Sequence, residues 1–356
     1  MIHLSLRTEC PQGGRRPSRV VILLSTYNGA AFLAEQLRSF LAQTHAEWVL
    51  LWRDDGSTDD TVAIVDSVLA GSDRCLRLRD RAGRLGVAGS FLRLVRAARP
   101  MLRVSDLVAF SDQDDVWLPA KLARGVAALA AVGPDRPTLY CARQVLVDAR
   151  LRRIGASPRL RRPAGFPACL VQNVAAGCTM MLNRAAVVLV ADVDPPATTY
   201  HDWWCYILVT AAGGGCLFDD AEVMLYRQHG GNTIGASRSV ARRALAALRR
   251  GPGAFMALLR GHLAALAARP ELLAEGARRD VARLQAALRG GVMRRLVEAM
   301  SLGLRRQGLA ETGVLYVWFL MGGKAGALCQ GALEAGADML ARPAPARLAR
   351  VPGSPP

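Results

Sequence analysis

The chain has 356 residues and is 51% hydrophobic, which is enough for a sizeable core and too much for a disordered chain. Its net charge of +17 rests on 44 Arg and two Lys, Lys121 and Lys324, and from Gly235 onward 19 basic residues face 7 acidic ones. A positive surface of this kind attracts anionic lipid or nucleic acid, but no nucleic-acid motif or basic-aromatic interleaving accompanies it, so nucleic acid is not an expected partner.

Residues 1–18 are polar, with Pro, Gly and Arg, and read as a disordered leader. They contain no apolar stretch of signal-peptide length, so secretion is not expected. Val20–Ser25 is a short apolar strand rich in β-branched residues, followed by a helix with Phe32, Leu33, Leu37, Phe40 and Leu41 on one face. Trp48–Trp52 is a second strand, and Ser57 to Asp60 resembles a capping box that opens a helix through Val62, Ile64, Val65 and Val68. A third strand over Cys75–Leu78, a helix from Val87 to Ala98 and a fourth strand ending at Asp112 complete an alternating strand–helix order. This order predicts a parallel sheet with helices on both faces, and such sheets bind ligands beyond the carboxyl ends of their strands.

Further strands are expected over 138–147, 177–182, 215–219 and 222–228, with a helix over 202–212 and a mobile Arg/Pro-rich loop over 149–167. From about Val240 the pattern turns to Ala/Leu/Arg helices, and 342–356 reads as a disordered tail. The eight Cys show no CxxC spacing and no zinc-like cluster; they read as reduced thiols in a cytosolic compartment. The longest apolar run, Val314 to Met321, is far shorter than the ~20 residues that span a bilayer.

Polar motifs follow three of the strands: Ser25-Thr26-Tyr27-Asn28-Gly29, Asp54-Asp55-Gly56-Ser57 and Asp112-Gln113-Asp114-Asp115. Three carboxylates at one strand exit repel each other, and a hard divalent cation relieves that cost. Mg²⁺ sites typically combine one or two carboxylates with substrate phosphates, so the segment suggests a metal holding a phosphorylated substrate. Taken alone, it also suits an acidic turn capping the helix that starts near Pro119. There is no GxxxxGK[ST] and no GxGxxG, so neither a P-loop nor a dinucleotide site is supported.

These segments, with Val116-Trp117-Leu118-Pro119, Gln172-Asn173, Gly177-Cys178-Thr179, His201-Asp202-Trp203-Trp204 and Tyr226-Arg227-Gln228-His229, together resemble the family 2 glycosyltransferases with the GT-A fold. The resemblance covers roughly 19–235, and its last two motifs resemble the bacterial rhamnosyltransferases of surface-polysaccharide assembly. It implies an α/β fold, a Rossmann-like, mostly parallel nucleotide-sugar-binding sheet flanked by helices. Residues 19–235 are then the catalytic domain and 236–341 a basic amphipathic helical extension. One departure is Arg84 before Leu85-Gly86, where relatives often carry Asn; an Arg there could contact a phosphate.

The resemblance implies an inverting transfer of a sugar, with L-rhamnose from dTDP-rhamnose as the expected donor, to a hydroxyl of a glycan or lipid-linked acceptor. Asp202 is the candidate catalytic base, placed where a helix dipole favours its charged form. Thr26, Tyr27, Asp55, Arg84 and Asp112 are the candidate donor-binding residues, with Asp55 on the nucleobase. Asp114 and His229 are the candidate ligands of Mg²⁺ or Mn²⁺, and Trp203 and Trp204 the candidate acceptor platform. Asp115 is expected to cap the next helix, and Lys121 to cover a helix face. The alternating Arg pairs and apolar stripes of 236–320, with aromatic Val314–Met321, suit either helices lying in an anionic membrane interface or an ordinary helical bundle with solvated Arg packed on the catalytic domain; the first would make a cytoplasmic protein peripheral to the inner face of the plasma membrane. A non-catalytic sugar-nucleotide-binding scaffold and a metal-dependent phosphohydrolase are the alternative readings.

Overall fold

The computed structural model describes residues 18–80, 82–197, 199–230 and 252–322. Residues 1–17 of the leader expected over 1–18, residues 236–251 and 323–341 of the expected basic extension, and the expected tail over 342–356 lie outside the described residues.

In chain order the elements are β1 Val20–Thr26, α1 Leu33–Leu41, β2 Trp48–Asp54, α2 Thr61–Val68, β3 Cys75–Arg77, α3 Gly86–Ala98, β4 Leu107–Ser111 and β5 Val116–Trp117. Then come α4 Lys121–Ala130, β6 Thr138–Val147, β7 Arg153–Ala156, β8 Met181–Asn183, α5 Arg184–Ala191, α6 His201–Ala211 and β9 Gly215–Arg227. The C-terminal helices are α7 Pro252–Ala267, α8 Glu275–Arg289, α9 Val292–Ser301 and α10 Leu309–Met321. One sheet runs β3-β2-β1-β4-β8-β6-β9-β5, with β7 added to β6. Pairings β1–β2, β1–β4, β2–β3 and β6–β9 are parallel, whereas β8 joins β4 and β6 antiparallel.

Side-chain alternation sorts the core into two layers. Val21 and Leu23 of β1 face α3, α5 and α6, and Val20, Ile22 and Leu24 face α1 and α4. Burial on both faces is why β1, β2 and β4 read as continuous apolar runs. The C-terminal helices continue the first layer: Leu259, Leu263, Val281, Leu315 and Phe319 share a core with Trp204 and Leu208 of α6. Within Val314–Met321, Leu315, Trp318 and Phe319 are buried, with Trp318 5.0 Å from Phe255, while Val317, Leu320 and Met321 stay exposed.

Some local expectations change. The two strands expected over 215–228 are one strand, β9, whose register against β6 shifts near Ala142 and Arg143. The loop over 149–167 contains β7, and its Arg161 and Arg162 amides donate to Gln307 Oε1 at 2.7 and 2.9 Å. Ser57 to Asp60 forms no capping box, because the Ser57 hydroxyl donates to Asp54 at 2.6 Å and Asp59 receives the Ala30 amide at 3.1 Å.

Candidate active site

The carboxyl ends of β1, β2 and β4 and the start of α6 surround a cleft of about 590 Å³. Tyr27, Asp55, Arg84, Asp112, Gln113, Asp114, Asn173, Gly177, His201, Asp202 and Trp203 all line it. A second cleft of about 540 Å³ shares Tyr27, Asp55 and Arg84 with the first and adds Arg53, Arg77, Arg79 and Asp80. Residues from six separate segments therefore meet in one place, as the strand-exit argument requires.

On the β2 side the two aspartates divide the work differently from the sequence expectation. Asp54 forms the Asx turn, accepting the Gly56 amide at 3.2 Å and also the Ser57 amide at 2.9 Å, and it takes the Thr26 hydroxyl at 3.0 Å. Asp55 is buried and anchors the loop before α3: its Oδ1 accepts from Arg53 at 2.5 Å and from the Leu85 amide at 2.7 Å, and its Oδ2 from the Gly86 amide at 2.8 Å. Gly86 makes this possible with φ +68°, a conformation that costs a side-chain-bearing residue 1–2 kcal/mol or so. The anchored loop lays the Arg84 guanidinium over the Tyr27 ring, 3.9 Å from its centroid. Tyr27 is fixed in turn by Gln113, which accepts its amide at 2.9 Å and donates to its carbonyl at 3.0 Å. Thr26 is fully buried and lines neither cleft, because its hydroxyl is committed to Asp54.

Beyond β4 the chain turns through Asp112 to Asp115. Burial pushes the Asp112 carboxyl up to about 7, with the Asp114 and Asp202 charges adding to it. Asp115 is fully buried and raised further, first by burial and then by Asp112 and Asp114. It does not cap α4, whose N-cap is Ala120 without a side-chain cap; instead its Oδ1 accepts the Arg227 amide at 3.1 Å. Lys121 does not cover a helix face either. It is fully buried, 3.3 Å over the Trp117 ring, and donates to the Cys178 carbonyl at 2.5 Å. Burial lowers its amine to about 7, against the raising effect of Asp115 and Asp112.

Asp114 and His229 are brought together from 115 residues apart, with Nε2 to Oδ2 at 2.8 Å. The pair fits a hard divalent ion: adjacent ligands of an octahedral Mg²⁺ at ~2.1 Å lie roughly 3 Å apart, and carboxylate with imidazole also suits Mn²⁺. Asp112, Asp115 and Cys178 also place ligand atoms within 4.8 Å of one another. That cluster fits a metal less well, because burial holds the Cys178 thiol protonated and the Lys121 amine already lies beside it.

Asp202 sits in the first turn of α6, where its charge acts on Asp112. Its Oδ2 accepts the Gly177 amide at 3.0 Å and its Oδ1 the Trp203 amide at 2.6 Å. Gly177 allows this approach, since an added Cβ would lie 2.9 Å from His201 Nε2 and 3.1 Å from Asp202 Cβ. Trp203 lines the cleft and donates from Nε1 to the Cys169 carbonyl at 2.6 Å. Trp204 does not belong to a platform: one residue further along the helix it points into the core and is 1% exposed.

Arg227, Gln113 and His201 received no role from the sequence although each lies inside a quoted motif. Arg227 is 1% exposed and holds the carboxylate segment from behind. Its Nε donates to the Asp114 carbonyl at 2.8 Å, its Nη1 to the Ala149 carbonyl at 2.6 Å, and its Nη2 pairs with Glu35 of α1. His201 stacks on Phe91 at 4.1 Å, and burial lowers its pKa.

Residues 21–186 match the family described as Glycosyl transferase family 2. The chain is 31% identical over 107 residues to a dTDP-rhamnosyl transferase, RfbG, of Shigella flexneri, a match covering 30% of this chain and 36% of that one. It is 31% identical over 110 residues to a UDP-Glc:alpha-D-GlcNAc-diphosphoundecaprenol beta-1,3-glucosyltransferase, WfgD, of Escherichia coli, covering 31% and 40%. The chain thus spans well under half the length of these relatives. S. aureus TarS 1-349 in complex with UDP-GlcNAc superposes with a TM-score of 0.52 over 88% of this chain and 92% of that chain, at 12% identity. Residues 21–186 thus resemble glycosyl transferase family 2, and the architecture of most of the chain is that of the GT-A fold.

Proposed function

We propose that the chain is an inverting glycosyltransferase of cell-surface polysaccharide assembly, moving a sugar from a nucleotide-sugar donor to a hydroxyl of a glycan or lipid-linked acceptor. One observation carries this: a single cleft joins a carboxylate held at a helix start, Asp202, to the acidic segment Asp112–Asp114 and to the Tyr27–Arg84 stack. L-Rhamnose from dTDP-rhamnose is the proposed donor, supported by the relative from Shigella flexneri and by the His201–Trp204 and Tyr226–His229 motifs. The proposed setting is the cytoplasmic face of the membrane; among the described residues no helix is long and apolar enough to cross it.

In this reading the Tyr27 ring and the Arg84 guanidinium hold the nucleoside diphosphate, and Asp55 shapes their loop rather than reaching the base itself. Asp202 accepts the proton of the acceptor hydroxyl as that oxygen bonds to the anomeric carbon. The bond from that carbon to the diphosphate oxygen breaks on the opposite side, and the configuration inverts. Trp203 offers its ring to the acceptor. Asp114 and His229 would hold a divalent cation, which would supply Lewis-acid stabilisation to the departing diphosphate.

Calorimetric titration with dTDP-rhamnose, UDP-glucose and GDP-mannose, each with and without Mn²⁺, tests the reading. Binding of one nucleotide sugar that strengthens with Mn²⁺ is the expected result. A folded protein that binds none of them would overturn it. Release of free sugar without acceptor, as fast as transfer with one, would mark a phosphohydrolase instead.

A further inference from the structure

The outer side of α9 and α10 carries apolar side chains that nothing among the described residues covers. On α9, Val292, Met293, Val297 and Met300 are 43%, 66%, 57% and 53% exposed. Positions 293, 297 and 300 form one helical stripe, while Arg295 and Ala299 turn inward. On α10, Leu309 is 77% exposed, and Val317, Leu320 and Met321 are exposed as well. The two helices pack against each other, so the two sets lie on neighbouring elements.

The charge around the stripe is mainly positive. From Arg289 to Met321 there are five Arg and two acidic residues, Glu298 and Glu311. Arg283 of α8 already holds Glu298 at 2.6 Å. Arg289, Arg294 and Arg305 are exposed and join no ion pair among the described residues. A second copy of this chain seated on the same face would oppose arginine to arginine. An anionic bilayer satisfies both halves of the surface, since Met, Val and Leu enter the headgroup–acyl boundary while guanidiniums meet lipid phosphates.

The face also connects to the cleft. Gln307, two residues before Leu309, donates its amide to Gln172 Oε1 at 2.6 Å, and the next residue, Asn173, lines the cleft. We propose that the exposed face of α9 and α10 is a docking surface for an anionic lipid bilayer and holds the cleft where a lipid-borne acceptor reaches Asp202. The acceptor half of this statement rests on the transferase reading, and the docking half does not.

Flotation of the full chain with vesicles tests it, using phosphatidylcholine alone or with about one third phosphatidylglycerol. The chain should float with the anionic vesicles and stay behind with the neutral ones. The triple variant Met293→Gln, Val297→Gln, Met300→Gln should lose vesicle binding by about tenfold or more. The double variant Arg294→Glu, Arg305→Glu should lose the preference for anionic lipid; it breaks no internal ion pair and so carries the test should the triple variant fold poorly. Both should keep the donor affinity of the unaltered chain. No flotation of that chain, flotation of the triple variant to the same extent, or a dimer in light scattering that the triple variant dissociates without any lipid binding would each overturn the docking surface. Flotation without binding of any nucleotide sugar would leave the surface standing and overturn the transferase reading alone.

Discussion

At the scale of single residues, the proposed proton acceptor, Asp202, and the proposed cation ligands, Asp114 and His229, should respond differently to substitution. Asp202→Asn should keep donor affinity within about twofold and lower turnover by roughly 10² to 10⁴, the usual contribution of a general base. Near-normal turnover of that variant in a sugar-transfer assay would sink the assignment. His229→Gln should leave Asp202 chemistry in place and raise the Mn²⁺ concentration needed for half-maximal donor binding by about tenfold or more. An unchanged requirement would remove His229 from the cation site. Residue identity alone misassigned several neighbours because it carries no direction. Asp54 and Asp55 are adjacent, but only the structure tells which closes the turn and which receives the Leu85 and Gly86 amides. Trp203 and Trp204 diverge because one helical step rotates a side chain by about 100°. Lys121 is buried because the aromatic face of Trp117, the Cys178 carbonyl and two carboxylates compensate its charge, and all four come from outside its own helix.

At the scale of elements, β9 is the support of the site. Its last residue, Arg227, ties the Asp114 carbonyl, the Asp115 carboxyl and Glu35 to one guanidinium and one amide. Arg227→Met keeps the length of the side chain but leaves buried carbonyls without their donor. Loss of such buried charged contacts costs about 3 kcal/mol or more. Denaturant unfolding should show this loss, together with weaker Mn²⁺-dependent donor binding; unfolding within about 1 kcal/mol of the unaltered chain would deny Arg227 its supporting role. The α6 start depends on Gly177 in a similar way, since any Cβ there meets the His201 ring and Asp202. Strands β1, β2 and β4 were legible in sequence because burial on both faces makes them apolar over most of their length. The expected strands 215–219 and 222–228 merged because the polar residues between them, Asp219 to Glu222, reach Arg124, Tyr140 and Arg153 rather than forming a turn.

At the scale of the whole molecule, the C-terminal helices share their core with α6. His262 of α7 is fully buried, 2.8 Å from the Thr199 hydroxyl and 5.2 Å from the ring of the cleft residue Trp203. Burial lowers its imidazole from 6.5 to about 4. The unfolded chain binds this proton first, so the contribution of neutral His262 is complete above pH 6.5 and is lost as pH falls toward 4. The shift corresponds to roughly 3 kcal/mol. Asp112, raised, acts in the opposite sense over much of the same range, so comparison with His262→Gln isolates the histidine. The melting temperature should fall more steeply between pH 6.5 and 4 in the unaltered chain than in the variant, and parallel curves would refute the assignment. A chain ending at residue 230 should expose the α6 face and aggregate; a soluble product with normal donor binding would show that α7 to α10 are dispensable.

The sequence by itself determined the alternating strand–helix order, the polar strand exits and the family resemblance. Each depends on local periodicity or on short motifs, which lie within a few residues of one another along the chain. Tertiary structure alone decided that Asp114 meets His229, that Arg227 and Lys121 are buried beside the carboxylates, and that the basic helices close the core of α6 while leaving one apolar stripe outward. Those outcomes turn on which side chains converge from distant segments and on which charges find partners once water is excluded. Neither quantity has a signature in the spacing of residues.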